Sequence, residues 1–327
     1  MITHLVLNGV ADSSLGVGLD MVGSASRLAA ASPNAARHAA DLLRQQVVSV
    51  DGQPVQSGAG RAVAVDGAFA PTQLGAADVV VIPGWFSVDE TRVEALLSCA
   101  ETQQAAHMLR QAAAQGCLIA ASCSATFLLA ESGLLDGQRA TTTWWLAAEF
   151  NRRFNHVHLE SERMVSEAKG VITAGSAFAH ADLMLAVLAR LTSPSLAQWV
   201  TRYLVLDQRP SQSRYMVLEH LRLNDPALRK AEAFIRDHLA RQISLSELAA
   251  VATMSPRTLA RRIHAALGMT PNEWMQRLRV NHASHLLQTS QLPIEEIAAQ
   301  VGYADPAAFR RTFKRFVGRA PSSLRQA

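Results

Sequence analysis

The sequence predicts an α/β protein: an N-terminal flavodoxin-like parallel sheet with helices on both faces, followed by an all-α C-terminal domain of two helix-turn-helix units. Three observations predict it. Short β-branched runs alternate with helical patterns over about the first 200 residues. The strand signals then stop after a polar stretch that begins near Asp207, and the last hundred or so residues contain one helical motif twice. At 327 residues the chain is also long for a single core, which points to two domains.

Leu5-Val6-Leu7 reads as the first strand, and Gly16 to Ala31 as a helix with Leu19, Val22 and Leu28 among its apolar positions. Val79-Val80-Val81-Ile82, closed by Pro83-Gly84, has the composition of a strand buried on both faces. Glu90 to Ala114 reads as one helix, ended by Gly116. Cys117 to Ala121 is the next strand, and a turn leads into a helix through Phe127, Leu128, Leu129 and Ala130. Val171 to Ala174 repeats the theme, with Gly175 closing it before a helix from Ala179 to Leu191. The polar stretch Asp207 to Asp225, with Arg209-Pro210-Ser211-Gln212-Ser213, is the expected boundary: a first domain over 1–207, a linker over 208–228 and a second domain over 229–327.

Composition narrows the class. Hydrophobic residues make up 49% and charged residues 18%, which is globular rather than disordered. No run of about 18 apolar residues suggests a membrane span, and Met1-Ile2-Thr3-His4-Leu5 lacks the basic region and apolar run of a signal peptide. Cys99, Cys117 and Cys123 form no CxxC pair, so reduced thiols in the cytoplasm are expected. Residues 229–327 hold 15 Lys+Arg against 7 Asp+Glu, whereas 1–228 hold 16 against 20. A basic module on a mildly acidic body suits binding to a phosphate backbone. Gly16 and Gly18 do not make a dinucleotide fingerprint, because residue 21 is Met.

The duplication is explicit. Leu245-Ser246-Glu247-Leu248-Ala249-Ala250 returns 49 residues later as Ile294-Glu295-Glu296-Ile297-Ala298-Ala299, and the segment 255–263 returns 50 later as 305–313. Each copy, about 243–267 and 292–317, closes with a glycine and a proline: Gly268 with Pro271, and Gly318 with Pro321. Ser255 and Asp305 are N-cap residues, and Pro256 and Pro306 occupy the first helical position, where a missing N–H costs nothing. Leu259 with Ile263, and Phe309 with Phe313, lie four apart and form a buried stripe. The remaining positions, Arg257, Thr258, Ala260, Arg261 and Arg262 in the first copy and Ala307, Ala308, Arg310, Arg311 and Lys314 in the second, are the candidate contacts to double-stranded DNA. A short capped helix with outward arginines suits the major groove, where the guanidinium fork takes guanine O6 and N7 together.

These residues resemble the AraC/XylS-type DNA-binding domain over about 229–325, through Ala298, Gly302-Tyr303, Phe309-Arg310-Arg311, Phe313-Lys314-Arg315 and Gly318-Arg319-Ala320-Pro321. The resemblance implies a helix over Asn272 to Leu287 that joins the two units and sets their spacing. The preceding half resembles the PfpI-like branch of the class I glutamine amidotransferase superfamily, in the version fused to AraC-type domains. Its carriers are Val81-Ile82-Pro83-Gly84, Cys123-Ser124-Ala125, Leu128 to Gly137, Ala140-Thr141-Thr142-Thr143-Trp144, Ile172 to Gly175 with Asp182-Leu183, and Arg202 to Asp207. Together they imply a transcription factor, cytoplasmic and homodimeric, that contacts RNA polymerase and answers to a small-molecule effector.

Ile119 to Phe127 looks like a nucleophile elbow with Cys123 at a helix head, where a thiolate would be stabilised. Thiol catalysis needs a base beside the sulfur. Residue 124 is Ser, and Thr143 stands where many relatives carry histidine, so His156, His158 or His180 would have to substitute by folding. Three readings of Cys123 stay open: an unreactive residue at a pocket turn, a redox-sensing thiol, and a catalytic nucleophile. Cys99, in a helix, and Cys117, in a strand, read as core. The expectation is a protein that is not an enzyme; the alternative is a cysteine-dependent hydrolase or glyoxalase-like enzyme fused to a DNA-binding domain. Gly84, Trp85, Cys123, Ser124, Thr142, Thr143, Trp144, Gly175 and Ser176 follow strand ends, where ligands of open α/β sheets lie, and are the candidate effector residues. Free N–H groups near Ser124 could take a carboxylate, and Trp85, Trp144 and Trp145 could wall an amino acid or related nitrogenous metabolite. No cofactor and no metal are expected, since His282 and His285, three apart, lack further ligands.

Overall fold

Eleven strands and fourteen α-helices are defined among the described residues, which are 1–31, 42–85, 90–207, 209–212, 215–216, 225–267 and 269–325 of a computed structural model. Gly268 and most of the expected linker lie outside them. The chain divides into two units, Met1–Gln212 and Ser213–Ala327.

The strands of the first unit are β1 (Ile2–Leu5), β2 (Gln45–Ser49), β3 (Val55–Gln56), β4 (Ala62–Val63), β5 (Gly67–Ala68), β6 (Val79–Ile82), β7 (Leu118–Ser122), β8 (Arg139–Ala140), β9 (His158–Leu159), β10 (Val165–Ala168) and β11 (Val171–Ala174). Seven of them form one sheet in the order β10-β11-β7-β6-β1-β2-β5. All its pairings are parallel except β10 with β11. The sequence order reverses between β1 and β6, the switch point at which doubly wound sheets open a crevice. Every residue of β1, β6, β7 and β11 is buried, the unbroken apolar run of β6 together with the polar Thr3, His4, Ser122 and Thr173 of the others.

The strands feed two cores, one on each face. Leu5, Val80, Ile82, Ile119 and Ala121 point to one. Ile2, Val79, Val81, Leu118 and Ala120 point to the other, which is closed by α1 (Asp12–Ala31), α6 (Ala179–Leu191) and α7 (Pro194–Tyr203). The first face is covered by α2 (Glu90–Ser98), α3 (Ala100–Ala114), α4 (Ala125–Glu131) and α5 (Ala147–Arg153).

Three local readings need correction. The first strand is Ile2–Leu5 rather than 5–7, because Ile2, Thr3 and His4 pair with both β2 and β6. The helix expected over 90–114 breaks at Cys99, which adopts extended backbone (φ −78°, ψ 151°) and caps α3. Cys117 precedes its strand, with Sγ donating to the Asp78 carbonyl oxygen at 3.1 Å.

The regular elements among the described residues of the second unit are all helices: α8 (Pro226–Asp237), α9 (Leu245–Val251), α10 (Pro256–Leu267), α11 (Pro271–Thr289), α12 (Ile294–Gln300), α13 (Pro306–Val317) and α14 (Pro321–Arg325). Helices α9–α10 and α12–α13 are the two repeats. Each has its own core: Leu248, Leu259 and Ile263 in the first, Ile297, Phe309 and Phe313 in the second. The joining helix α11 serves both, giving Trp274 and Leu278 to the first and Val280, Ala283 and Leu287 to the second. A Thr270–Glu273 capping box fixes its start.

Candidate functional site

Cys123 sits at the tip of β7 with φ 57°, a left-handed conformation that a side chain other than glycine holds only under constraint. The constraint is visible. Its N–H donates to the Ala174 and Gly175 carbonyls at 2.9 and 2.8 Å, and its carbonyl accepts from Thr142 Oγ1 at 2.8 Å. Gly84 packs so closely that an added Cβ would lie 2.7 Å from that of Cys123. Trp85 N–H donates to Ser124 Oγ at 3.1 Å, and that hydroxyl donates to the Trp85 carbonyl at 3.0 Å. Thr143 and Ser176 pair through their hydroxyls at 3.2 Å. The loops after β6, β7, β8 and β11 therefore meet at one point.

The chemistry at this point is quiet. Cys123 is 3% exposed, and burial pushes its thiol pKa up, although hydrogen bonds from the Ser124 amide, the Thr143 and Ser124 hydroxyls and the Ala177 amide pull the other way. No imidazole or carboxylate is among the groups that shift it. His156 is exposed and pairs with Asp136 at 2.9 Å, and His158 lies exposed in β9. His180 is buried on the opposite face of the sheet, where Nδ1 meets Ser122 Oγ at 2.9 Å. The helix head that would stabilise a thiolate belongs to α4, only seven residues long, and desolvation outweighs it.

Trp85 is 2% exposed and packs in the core of its face. Trp144 stands edge-on to Trp145 at 5.2 Å. Two buried polar atoms nearby in the sequence, Trp145 Nε1 and Thr126 Oγ1, have no hydrogen-bond partner among the described residues. Each unmet group of this kind costs about 1–3 kcal/mol.

One residue beside Cys123 escaped sequence reasoning. Gln212, 1% exposed, inserts its side-chain amide among Thr141, Thr142, Ser161 and Ser176. Nothing in the sequence distinguishes it from the polar stretch around it. Residues 209–212 fold onto the first unit past the expected boundary at 207, as Arg209 pairs with Asp182 at 2.5 Å and Ser211 with the Glu162 carbonyl at 2.8 Å.

In the second unit the candidate recognition helices are α10 and α13. Ser255 Oγ accepts from the Thr258 amide at 3.2 Å and meets the Thr258 hydroxyl at 2.8 Å, so Thr258 is partly spent on capping. Asp305 accepts from the Ala307 and Ala308 amides at 2.8 and 3.0 Å. Arg257, Arg261, Arg262, Ala307, Arg310, Arg311 and Lys314 are exposed, while Ala260 and Ala308 are half-buried. Arg262 is tied to Asp225 at 3.0 Å, Arg310 to Glu295 at 2.5 Å and Arg311 to Asp305 at 3.8 Å.

The two turns match. Thr253 (φ 56°) before α10 and Gly302 (φ 80°) before α13 both adopt the left-handed region. Buried Arg279 of α11 locks the copies together: Nη2 donates to the Arg241 carbonyl at 2.6 Å, and the guanidinium stands 6.0 Å from the Tyr303 ring centre. Among the described residues no group of three or more His, Cys, Asp or Glu could hold a metal, and no helix is long and apolar enough to cross a membrane.

Comparison with known proteins agrees with this geometry. Residues 28–190 match the DJ-1/PfpI family, and residues 248–327 match a helix-turn-helix domain. The HTH-type transcriptional regulator GlxA of Rhizobium meliloti is 30% identical over 230 residues, 69% of this chain and 71% of that one. The regulator CdhR of Pseudomonas aeruginosa is 28% identical over 292 residues, 88% of this chain and 83% of its own. A crystal structure of a candidate transcriptional regulator from Vibrio parahaemolyticus shares the fold of the first unit, with a TM-score of 0.50 and 16% identity over 62% of this chain and 97% of that one. The chain belongs to the AraC-type helix-turn-helix transcriptional regulators that carry an N-terminal DJ-1/PfpI domain.

Proposed function

We propose that this regulator binds one DNA sequence through α10 and α13 and answers to a small metabolite held beside Cys123 by a domain without catalytic activity. The observation that carries the non-catalytic reading is the environment of Cys123. A buried thiol with a raised pKa and only hydroxyl and amide neighbours stays protonated near neutral pH, and so lacks the thiolate that nucleophilic catalysis and rapid oxidation both require.

The effector is an amino acid or related nitrogenous metabolite, in keeping with the donors and acceptors around Ser176 and Thr142 and with the unmet Trp145 Nε1 and Thr126 Oγ1. Base contacts come chiefly from Arg257 and Arg261 and from Arg310 and Arg311, with Lys314 on phosphate. The protein works in the cytoplasm as a homodimer and activates transcription by presenting a surface to RNA polymerase. The exposed Trp199 (60%), Tyr203 (71%) and Val205 (90%) offer roughly 400 Å² of mostly apolar surface, about half of one side of a standard interface, and a second copy is the partner that fits.

The test selects genomic fragments with the purified full-length protein, with and without amino acids, and repeats the selection with Cys123→Ala. A discrete set of sites whose occupancy shifts with a metabolite, unchanged by Cys123→Ala, is the expected result. Turnover of any metabolite that disappears with Cys123→Ala would establish the enzyme alternative instead.

A further inference from the structure

Gln212 is bound as a ligand would be. Its Oε1 accepts two hydrogen bonds, from the Ser176 amide at 3.2 Å and the Ser176 hydroxyl at 3.1 Å. Its Nε2 faces three acceptors: the Thr142 carbonyl at 2.8 Å, the Ser161 carbonyl at 2.8 Å and Thr141 Oγ1 at 3.3 Å, whose own hydroxyl proton goes to the Arg163 carbonyl. The socket therefore presents donors at one end and obligate acceptors at the other. A primary carboxamide satisfies both ends. A carboxylate would set an oxygen against two carbonyl oxygens that cannot donate, and a buried site of this kind rejects the mismatched group strongly.

Gly175 shows how completely the site is shaped to this group. A Cβ there would lie 2.6 Å from Gln212 Cδ and 2.8 Å from Nε2, so only glycine leaves room for the amide. The socket is also part of the candidate effector site: Thr142 holds the Cys123 carbonyl, and Ser176 pairs with Thr143. Gln212 reaches it as the end of a strap, residues 209–212. The strap's remaining anchors are the Arg209–Asp182 pair, the Arg209 bond to the Phe178 carbonyl at 2.8 Å, the Ser211 hydroxyl and the Gln212 amide on Glu162, and an isolated bridge between Arg163 and Ser211. Gln212 is the last residue of the first unit, and the DNA-binding unit begins with the next residue.

We infer that this socket recognises the effector, that the effector carries a primary carboxamide, and that it exchanges with Gln212, releasing the strap that leads into the DNA-binding unit. The inference rests on the effector reading given above and narrows it to one functional group and one moving part. A site already filled by its own side chain favours an effector present at high concentration, because the free ligand competes with a group tethered beside the socket.

Hydrogen exchange on the full-length protein tests this without any variant. Millimolar L-glutamine or L-asparagine should speed exchange across residues 209–212 at least fivefold and slow it at 141–143, while L-glutamate and L-aspartate at equal concentration do neither. Gln212→Ala gives a second measurement. It should melt several degrees below the parent, and acetamide, which supplies the deleted group, should restore more than half of that loss where acetate restores none. Unchanged exchange at 209–212 with both amides, or equal effects of acetamide and acetate, overturns the inference. Should a nitrogenous metabolite without a carboxamide shift both melting and DNA occupancy while residues 209–212 stay protected, the effector reading survives and this one fails.

Discussion

Gly302→Ala offers the sharpest check on how the DNA-binding unit is assembled. Gly302 has φ 80° and faces α8 and α11 inside the second unit. A Cβ there would strike the Leu239 carbonyl oxygen and lie 3.1 Å from the Arg279 guanidinium. Neither neighbour can give way: the first is main chain, and Arg279 is 7% exposed and held to the Arg241 carbonyl. Left-handed backbone costs an alanine about 1 kcal/mol, and forcing a methyl into a filled space costs about 1–3 more, so the loss should be about 2–4 kcal/mol. For a unit of this size that lowers its melting transition by about 10–25 °C. Thr253→Gly at the matching turn of the first repeat is the control. Relief of φ 56° offsets the added freedom of the unfolded chain there, and stability should stay within about 1 kcal/mol of the parent. Because the two units need not unfold together, calorimetry should be joined to hydrogen exchange at α12 and α13. A Gly302→Ala protein melting within about 2 °C of the parent would show that the turn is not the tight joint described.

Four further outcomes are expected. Burial lowers His4 from 6.5 to about 4 and His180 from 6.5 to about 3, so between those values and 6.5 the unfolded chain binds protons that the folded chain refuses. Stability is thus full above about pH 6.5 and falls on acidification by up to about 1.4 kcal/mol per pH unit for each imidazole; His180→Gln should flatten the acid side of a melting-versus-pH curve, and an unchanged slope refutes the assignment. Arg261 has no ion-pair partner among the described residues whereas Arg310 is held by Glu295, so Arg261→Ala should weaken specific binding by about 1–3 kcal/mol and Arg310→Ala by a few tenths of a kcal/mol less, the strength of an exposed pair, in gel-shift titrations. Glu295→Gln should free Arg310 and steepen the salt dependence of binding by up to about 0.9 in log–log slope, a gain that vanishes in an Arg310→Ala background. Trp199→Ser with Tyr203→Ser should shift sedimentation from dimer to monomer, and an unmoved dimer places the interface elsewhere.

Much of this fold was readable in the residues because local and global preferences agree. The unbroken run Val79–Ile82 can only be a strand buried on both faces, and the Ser-Pro and Asp-Pro caps of α10 and α13 mark helix starts within a residue. The short edge strands β3, β4 and β5, two residues each, carry no pattern long enough to read. The break at Cys99 was hidden because Ser98, Cys99 and Ala100 are all compatible with a helix, and only the docking of α2 and α3 separates them. Candidate site residues after β6, β7, β8 and β11 could be named because turns at strand ends are local. Gln212 and Arg279 could not, since each acts through partners distant in the sequence, 36 residues or more for the Gln212 amide and 24 and 38 for Arg279 with Tyr303 and Arg241.

The internal repeat also argues for unequal halves of the DNA interface. Where the second copy has Glu295 and Arg310, the first has Ser246 and Ala260; where the second caps α13 with Asp305, the first caps α10 with Ser255. Two carboxylates have thus replaced two hydroxyls beside the second recognition helix, and each sits against an arginine of that helix. A phosphate approaching Arg310 or Arg311 must displace a carboxylate that then remains nearby as a like charge, whereas Arg257 and Arg261 meet no such rival among the described residues. Exposed pairs of this kind are worth only a few tenths of a kcal/mol each, too little to silence the second unit but enough to make its contact depend on salt and on the sequence beneath it. On this argument the proposed contacts of α10 should outlast those of α13 as salt is raised, and footprints at increasing ionic strength should fade first over the half-site that α13 covers.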